Sequence, residues 1–154
     1  VSPNDMIHDI ASRIDKSFDI IMWSHCTNPL IRPEIYDNAL NTFVLSPRSY
    51  DSLISVTEIK NHFWHKTKSG FIPLNYNPQG AEHPVASELE PLYFQDGGIF
   101  IQRREDMVSN SYFFGRNPLL FTINPYLSID INHPLDMVIA EAINKTLGNQ
   151  NGKK

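Results

Sequence analysis

Cysteine is nearly missing from this 154-residue chain. Cys26 is the only one, which excludes an intrachain disulfide and a thiolate zinc cluster and points to a reducing compartment, with the cytoplasm as the expected location. Long apolar runs are missing too: none approaches the roughly 18 residues that cross a bilayer, so no membrane role is expected. Positive charge is scarce. With 13 Lys and Arg against 17 Asp and Glu, the formal charge is −4, and no broad basic surface is left for nucleic acid phosphates. The opening VSPNDMIHDI has neither the basic start nor the apolar stretch of a secretory signal. Because it begins on Val1, the chain reads as cut from a longer polypeptide. What is present is 41% hydrophobic residues with only 19% charged, too apolar for a disordered chain and enough for one domain with a core.

The hydrophobic pattern alternates between helix and strand. Ile7, Ile10 and Ile14 share a helical face within residues 3–16. FDIIMWS then reads as a buried strand that ends in the polar loop HCTNP. Pro33 opens a helix over PEIYDNALNTFVL, since its missing N–H costs nothing in a first turn, and Ile35, Ala39 and Phe43 recur every four residues. SLISVTEI at 52–59 is a second short β-branched strand. From 61 to 91 regularity fails around KTKSG, NYNPQG and EHP, and such a long excursion reads as functional or interacting. GGIFIQR at 97–103 and LLFTINP at 119–125 resume the core. Leu135, Val138, Ile139, Ala142, Ile143 and Leu147 mark a final helix, started by Pro134 and closed by Gly148, with a frayed tail from 149 to 154. Strands alternating with helices predict an α/β fold with a mostly parallel sheet, to which 91–125 can add antiparallel pairs.

Candidate chemistry gathers at strand ends. In SIDINHPLD, 128–136, an extended segment turns Ser128, Asp130 and Asn132 to one side. Oxygen ligands on one face suit Mg²⁺, which keeps several waters beside a phosphate substrate, so Asp130 is the leading metal and catalytic candidate, with Asn132 beside it. The alternative is structural: the same groups end a strand and cap the next helix, with Asp136 favoured at its positive end. His25, Thr27 and Asn28 lie on a loop after a buried strand, at the rim of a pocket, or simply in a turn. His25 and Cys26, as neighbours in an extended segment, point apart and do not form a nucleophilic dyad. His62 and His65 lack a third ligand and read as surface histidines. Lys66 and Lys68, with Arg103 and Arg104, can neutralise a carboxylate or phosphate or simply lie on a solvated face. Gly97 and Gly98 mark close backbone approach.

Five collinear stretches resemble the acylneuraminate cytidylyltransferases, the CMP-sialic acid synthetases. They are IMWSHCTNPLIRPEIYDNAL (21–40), YDSLISVTEIKNHFW (50–64), FIPLNYNP (71–78), LEPLYFQDGGIFI (89–101) and SIDINHPLDMVIAEAI (128–143). The resemblance covers nearly the whole chain. It implies a Rossmann-like nucleotide-diphosphosugar transferase fold and transfer of CMP from CTP to a nonulosonic acid, with pyrophosphate released. It also implies that an Asp-x-Asp pair for Mg²⁺ falls on Asp130 and Asn132, that His25 stands where relatives carry a substrate-side Gln, and that Ser87 stands where they carry another. Asn75 matches a substrate-side Asn. The 61–91 excursion resembles an arm that crosses to a second subunit, which makes a homodimer the expected assembly.

Relatives also begin with a basic loop, R-x-x-S-K-x-x-x-x-K-N, that grips the CTP phosphates, and nothing in the 154 residues matches it. The expectation is therefore a cytidylyltransferase domain over 1–148, incomplete at its N-terminus and inactive by itself. The alternative is a degenerate, non-catalytic sugar-binding or dimerisation module, motivated by Asn132, His25 and Ser87.

Overall fold

The computed structural model describes residues 2–80 and 82–151. In chain order its elements are α1 (Pro3–Arg13), β1 (Ile20–Trp23), α2 (Pro33–Leu45), β2 (Ser52–Ile59), β3 (Trp64–Thr67), β4 (Gly70–Pro73), a 3₁₀ turn at Ala86–Glu88, β5 (Leu92–Arg103), α3 (Arg104–Asn110), β6 (Pro118–Thr122) and α4 (Pro134–Asn151). Three helix starts have a local cause. Ser2 caps α1 by accepting from Asp5 N–H while the Asp5 carboxylate accepts from Ser2 N–H, a reciprocal box that satisfies two free donors. Pro33 occupies the first turn of α2, as its sequence implies. Asp136 reaches back from the first turn of α4 to the N–H groups of Asn132 and His133 at 3.0 and 2.7 Å.

The main sheet has the order β1-β5-β2-β6. β2 and β6 are parallel, and β5 runs antiparallel to both β1 and β2. Three of the four strands therefore point the same way, and the reversed one lies in the 91–125 stretch. Alternation of side chains sorts the core onto two faces. On one, Ala39 and Phe43 of α2 pack with Leu53, Ile99, Ile101 and Ile123. On the other, Ile7 and Ala11 of α1 meet Ile21 and Met107, and Ile54, Val56 and Phe100 are flanked by Trp23, Phe113 and Phe114. Each fully buried Phe or Ile is worth about 1.5–3 kcal/mol. β3 and β4 form a separate two-stranded hairpin within the excursion.

Besides the β3–β4 hairpin inside 61–91, where the sequence showed no regular pattern, the elements differ most from the sequence reading in four places. Residues 128–132 form no strand: the N–H of Ile131 donates to the Thr27 carbonyl at 2.9 Å, and the next two N–H groups go to Asp136. β5 begins at Leu92, five residues before the Gly pair, because its first half pairs with Val56–Ile59 past a bulge. α3 follows β5 directly, with only Met107 buried. α4 runs through Gly148 to Asn151, since an internal glycine costs a helix about 1 kcal/mol without ending it. The tail expected from 149 is thus helical up to 151, and 152–154 lie outside the described residues.

Candidate functional site

β1, β2 and β6 all end on one side of the sheet, the side on which open α/β sheets hold ligands. The chain leaving β1 turns at Cys26 and Thr27, and Asn28 drops into the interior, 3% exposed. Its Nδ2 donates to the Asp96 carbonyl at 3.0 Å. The bond from Ile131 N–H to the Thr27 carbonyl brings the SIDIN segment against this loop. Asp130 therefore stands beside the turn that carries Thr27 and Asn28. One of its oxygens, Oδ2, accepts from Asn132 Nδ2 at 2.8 Å. The other, Oδ1, is buried without a hydrogen-bond partner, as is Asn28 Oδ1. A cavity of 360 Å³ opens here, lined by Thr57, Phe94, Ser128, Asp130, Asn132 and Asp136 among others.

Beneath these groups lies a polar chain that the sequence reading missed. Asp96 is 1% exposed. Its carboxylate accepts from the Ser55 hydroxyl, from Gly98 N–H at 3.0 Å and from the Thr57 hydroxyl at 3.4 Å. Thr57 and Ser128 share a further bond of 2.6 Å, so Asp96 is linked through β2 to the segment that bears Asp130. Burial raises the Asp96 pKa above its ordinary value against the pull of those donors, and the negative Asp130 pushes in the same direction. Two hydroxyls at period two in an apolar strand, Ser55 and Thr57, were the available signal. Their partner comes from about 40 positions further along the chain.

His25 packs its ring 5.5 Å, centroid to centroid, from both Phe100 and Phe113. Cys26 is exposed. Gly97 takes a positive φ of 75° and Gly98 lies so close to Ile31 that a Cβ there collides with its Cδ1, so the glycine pair does serve close approach.

The other named residues lie elsewhere. Asn75 is occupied with backbone: Oδ1 accepts from Phe63 N–H at 3.1 Å, and Nδ2 donates to the carbonyls of Asn61 and Glu90 at 2.8 and 3.1 Å. It clamps the base of the β3–β4 hairpin, on which Lys66 is exposed. His62 stacks on His83 at 4.6 Å rather than pairing with His65. Arg103 and Arg104 line a 710 Å³ cavity with Lys16 and Arg48 at the opposite end of the sheet, where Ile20 pairs with Arg103. Among the described residues no group of three or more His, Cys, Asp or Glu is arranged to hold a metal ion, and no helix is long and apolar enough to cross a membrane.

No protein-family model matches the chain. It is 24% identical over 134 residues to N-acylneuraminate cytidylyltransferase A of Danio rerio, an alignment that takes in 84% of this chain and 30% of that protein. The chain thus spans less than a third of the length of the relative it matches. Its structure superposes on 4-diphosphocytidyl-2C-methyl-D-erythritol synthase from Anaerococcus prevotii with a TM-score of 0.65 at 10% identity, over 94% of this chain and 67% of the other. The chain has an α/β, Rossmann-like nucleotidyltransferase fold, and its sequence is similar to that of a cytidylyltransferase.

Proposed function

We propose that the chain is the acceptor-sugar and metal-binding part of a cytidylyltransferase that moves CMP from CTP to a nonulosonic, sialic-type acid. In that reaction a hydroxyl oxygen of the acid bonds to the α-phosphorus of CTP, the bond from that phosphorus to the bridging oxygen breaks, and pyrophosphate leaves as the hydroxyl gives up its proton. The observation that carries the reading is the 2.9 Å bond from Ile131 N–H to the Thr27 carbonyl. It joins two of the stretches on which the likeness rests, at the strand ends where ligands of such sheets sit. His25, Thr27 and Asn28 orient substrate in this reading.

The donor set suits Mg²⁺. Asp130 Oδ1 is a buried carboxylate oxygen without a partner, and a cation that retains several of its waters needs few protein ligands. Asp130, the catalytic residue of the proposal, would hold it, with Asn132 contributing an uncharged amide oxygen. When bound, the ion supplies positive charge against the transferring phosphoryl group.

A homodimer belongs to the same proposal. Trp64, Phe71, Ile72 and Leu74 on and beside the hairpin are 49–65% exposed, and a lone two-stranded hairpin is marginal in water without something to pack on. Residues 60–81 carry three Lys and no acid, whereas 117–144 carry three acids and neither Lys nor Arg. A second copy can thus pair its basic arm with the acidic strand-end region, and Lys66 then serves the partner's site.

Asn132 favours a second reading, a non-catalytic sugar-binding module, because it supplies no charge where the resemblance expects an aspartate. Calorimetry on the full-length protein, with whatever precedes Val1 included, separates the two. Binding of CTP that strengthens with Mg²⁺ and weakens in Asp130→Ala supports the transferase. Binding of N-acetylneuraminate that is indifferent to both, with no metal-dependent CTP binding, supports the module.

A further inference from the structure

We infer that the 710 Å³ cavity at the opposite end of the sheet from Asp130 binds a small phosphate monoester, with Arg103 and Arg48 as its anchors. The inference does not depend on the cytidylyltransferase reading, because this cavity and the one beside Asp130 share no residue.

Positive charge gathers here against the trend of the molecule. The chain carries a formal charge of −4 with 13 Lys and Arg, yet four of those cations, Lys16, Arg48, Arg103 and Arg104, line this one cavity. They come from the α1–β1 connection, the α2–β2 connection and the junction of β5 with α3. Arg104 is committed to the wall. Its Nε donates to the Ile14 carbonyl and its Nη2 to the Ser12 carbonyl, both at 3.0 Å, and its N–H donates to the Asp19 carbonyl at 2.9 Å. These bonds pin the end of α1 and the approach to β1 against the end of β5, so this side of the cavity is formed before a ligand arrives.

Arg103 has no such employment. Its guanidinium is half-buried and lies over the Phe43 ring, with Cζ 5.3 Å from the centroid. Among the described residues it has neither a hydrogen-bond nor an ion-pair partner, the only ion pair being that of Arg13 with Asp9. A ring face steadies the cation but takes none of its five N–H donors. Asp19, Glu105 and Asp106 line the same cavity and close no ion pair with it. A fork of donors held flat on an aromatic floor is suited to the paired oxygens of an oxyanion.

The surroundings narrow the anion. Lys16 and Arg48 belong to segments other than that of Arg103, so cations are presented from more than one side, which suits the tetrahedral oxygens of a phosphate better than the plane of a carboxylate. Four cations against three acids leave a small positive excess, enough for a single phosphate and unfavourable to a triphosphate. The three carboxylates accept from hydroxyls, and Phe18 and Val44, 61% and 58% exposed, add apolar wall. The body attached to the phosphate therefore carries hydroxyls and an apolar face. The volume lies within the range of about 300–1,000 Å³ common for small-molecule sites.

Sugar phosphates and nucleoside monophosphates share this chemistry. The test is calorimetry on the full-length protein, with whatever precedes Val1 included, titrated with ribose 5-phosphate, CMP, inorganic phosphate and acetate. The expected result is binding of a phosphate ester that weakens about tenfold or more in Arg103→Met and in Arg48→Gln and is retained in Asp130→Ala. Arg103→Met keeps an unbranched stem over Phe43. Arg48 is exposed and makes no side-chain bond among the described residues, so its variant reports even if Arg103→Met fails to fold. Tighter binding of CMP than of ribose 5-phosphate assigns a nucleotide, and the reverse assigns a sugar phosphate. Binding unchanged in both arginine variants overturns the inference, as does a wild type that binds none of the three phosphates at millimolar concentration. Acetate bound as tightly as inorganic phosphate overturns the choice of a phosphate. Metal-dependent binding of CTP is read separately, so its failure would sink the transferase reading and leave this site standing.

Discussion

The amide of Asn28 and the carbonyl of Asp96 meet across 3.0 Å in the interior, and this bond ties the loop after β1 to the bend where β5 passes its glycine pair. From Asp96 the polar chain continues through Thr57 to Ser128. The two halves of the candidate site are thereby held by one buried acid that lines neither the loop nor the cavity.

That acid makes stability depend on pH with a definite sign. Burial raises the Asp96 pKa in the folded state, so between the ordinary carboxylate value and the raised one the folded chain holds a proton that the unfolded chain has lost. Stability from this group is highest at the acid side of that window and falls as pH climbs through it. Asp96→Asn keeps an acceptor for Ser55 and Gly98 and removes the titration. Urea unfolding across that pH range should show the decline in the wild type and its absence in Asp96→Asn. Asp96→Ala, which leaves the donors of Ser55, Thr57 and Gly98 without their acceptor, should cost about 3 kcal/mol or more at every pH.

Asp51 supplies the opposite sign. Desolvation works against its charge, but the Ser52 hydroxyl and the N–H groups of Asn117 and Arg116 together hold its pKa below the ordinary value. Its contribution is present above the ordinary carboxylate value and is lost as pH falls through the lowered one. Asp51→Asn should therefore remove part of the acid-side loss of stability while leaving the decline caused by Asp96. A variant whose acid limb matches the wild type would show that these donors do not favour the charged form.

Much of the frame was readable where local rules and tertiary packing agree. Pro33 and the β-branched run 52–59 fix α2 and β2 at the bounds that the pattern implies. α3 was missed because REDMVSN buries only Met107 and so carries no period. The first half of β5 was hidden since Tyr93 and Phe94 face solvent, 47% and 57% exposed. In α4 the apolar stripe was visible but its burial was not: Leu135, Val138 and Ile139 are 66%, 61% and 40% exposed, and Ala140 is buried. The turn that carries Thr27 and Asn28 was legible as a polar loop after a strand, whereas Asp130 was named from a strand that the structure does not form. Asp96 could not be named, because its role depends on partners from another strand.

Gly98 tests how tightly the site is packed. A Cβ at this position collides with Ile31 Cδ1 and comes within 3.4 Å of Asp96 Oδ1 and Ser55 Oγ. Gly98→Ala should cost about 1–3 kcal/mol by overpacking. Ile31→Val removes the obstructing methyl at a cost of about 0.5–1.5 kcal/mol by itself. The double variant should then be more stable than the two losses added together. Simple additivity in thermal unfolding would place the strain at Asp96 or Ser55 instead.

In the proposed dimer the exposed face of the β3–β4 hairpin carries the assembly. Ile72→Glu and Trp64→Ser alter exposed positions on β4 and β3 and leave the Asn75 clamp intact, so the monomer fold should persist. Sedimentation should find dimers of the wild type and monomers of the double variant, with unchanged far-ultraviolet dichroism. Salt should weaken the proposed dimer as well, because that assembly would set the basic 60–81 segment against the acidic 117–144 one. A wild-type chain that sediments as a monomer at micromolar concentration would sink the arm proposal.

Asn132 offers the sharpest reading of the metal. Its Nδ2 bonds one oxygen of Asp130 and leaves the other free, so the pair presents one negative charge where two would bind Mg²⁺ more strongly. Asn132→Asp removes that bond and sets two carboxylates side by side. Without metal the variant should melt below the wild type, because the like charges repel. With millimolar Mg²⁺ it should gain more than the wild type does, since a cation that binds only the folded state stabilises it in proportion to its affinity. Paired melting curves with and without Mg²⁺ read this difference directly. Equal metal-induced shifts in both proteins would mean that the ion does not sit at Asp130.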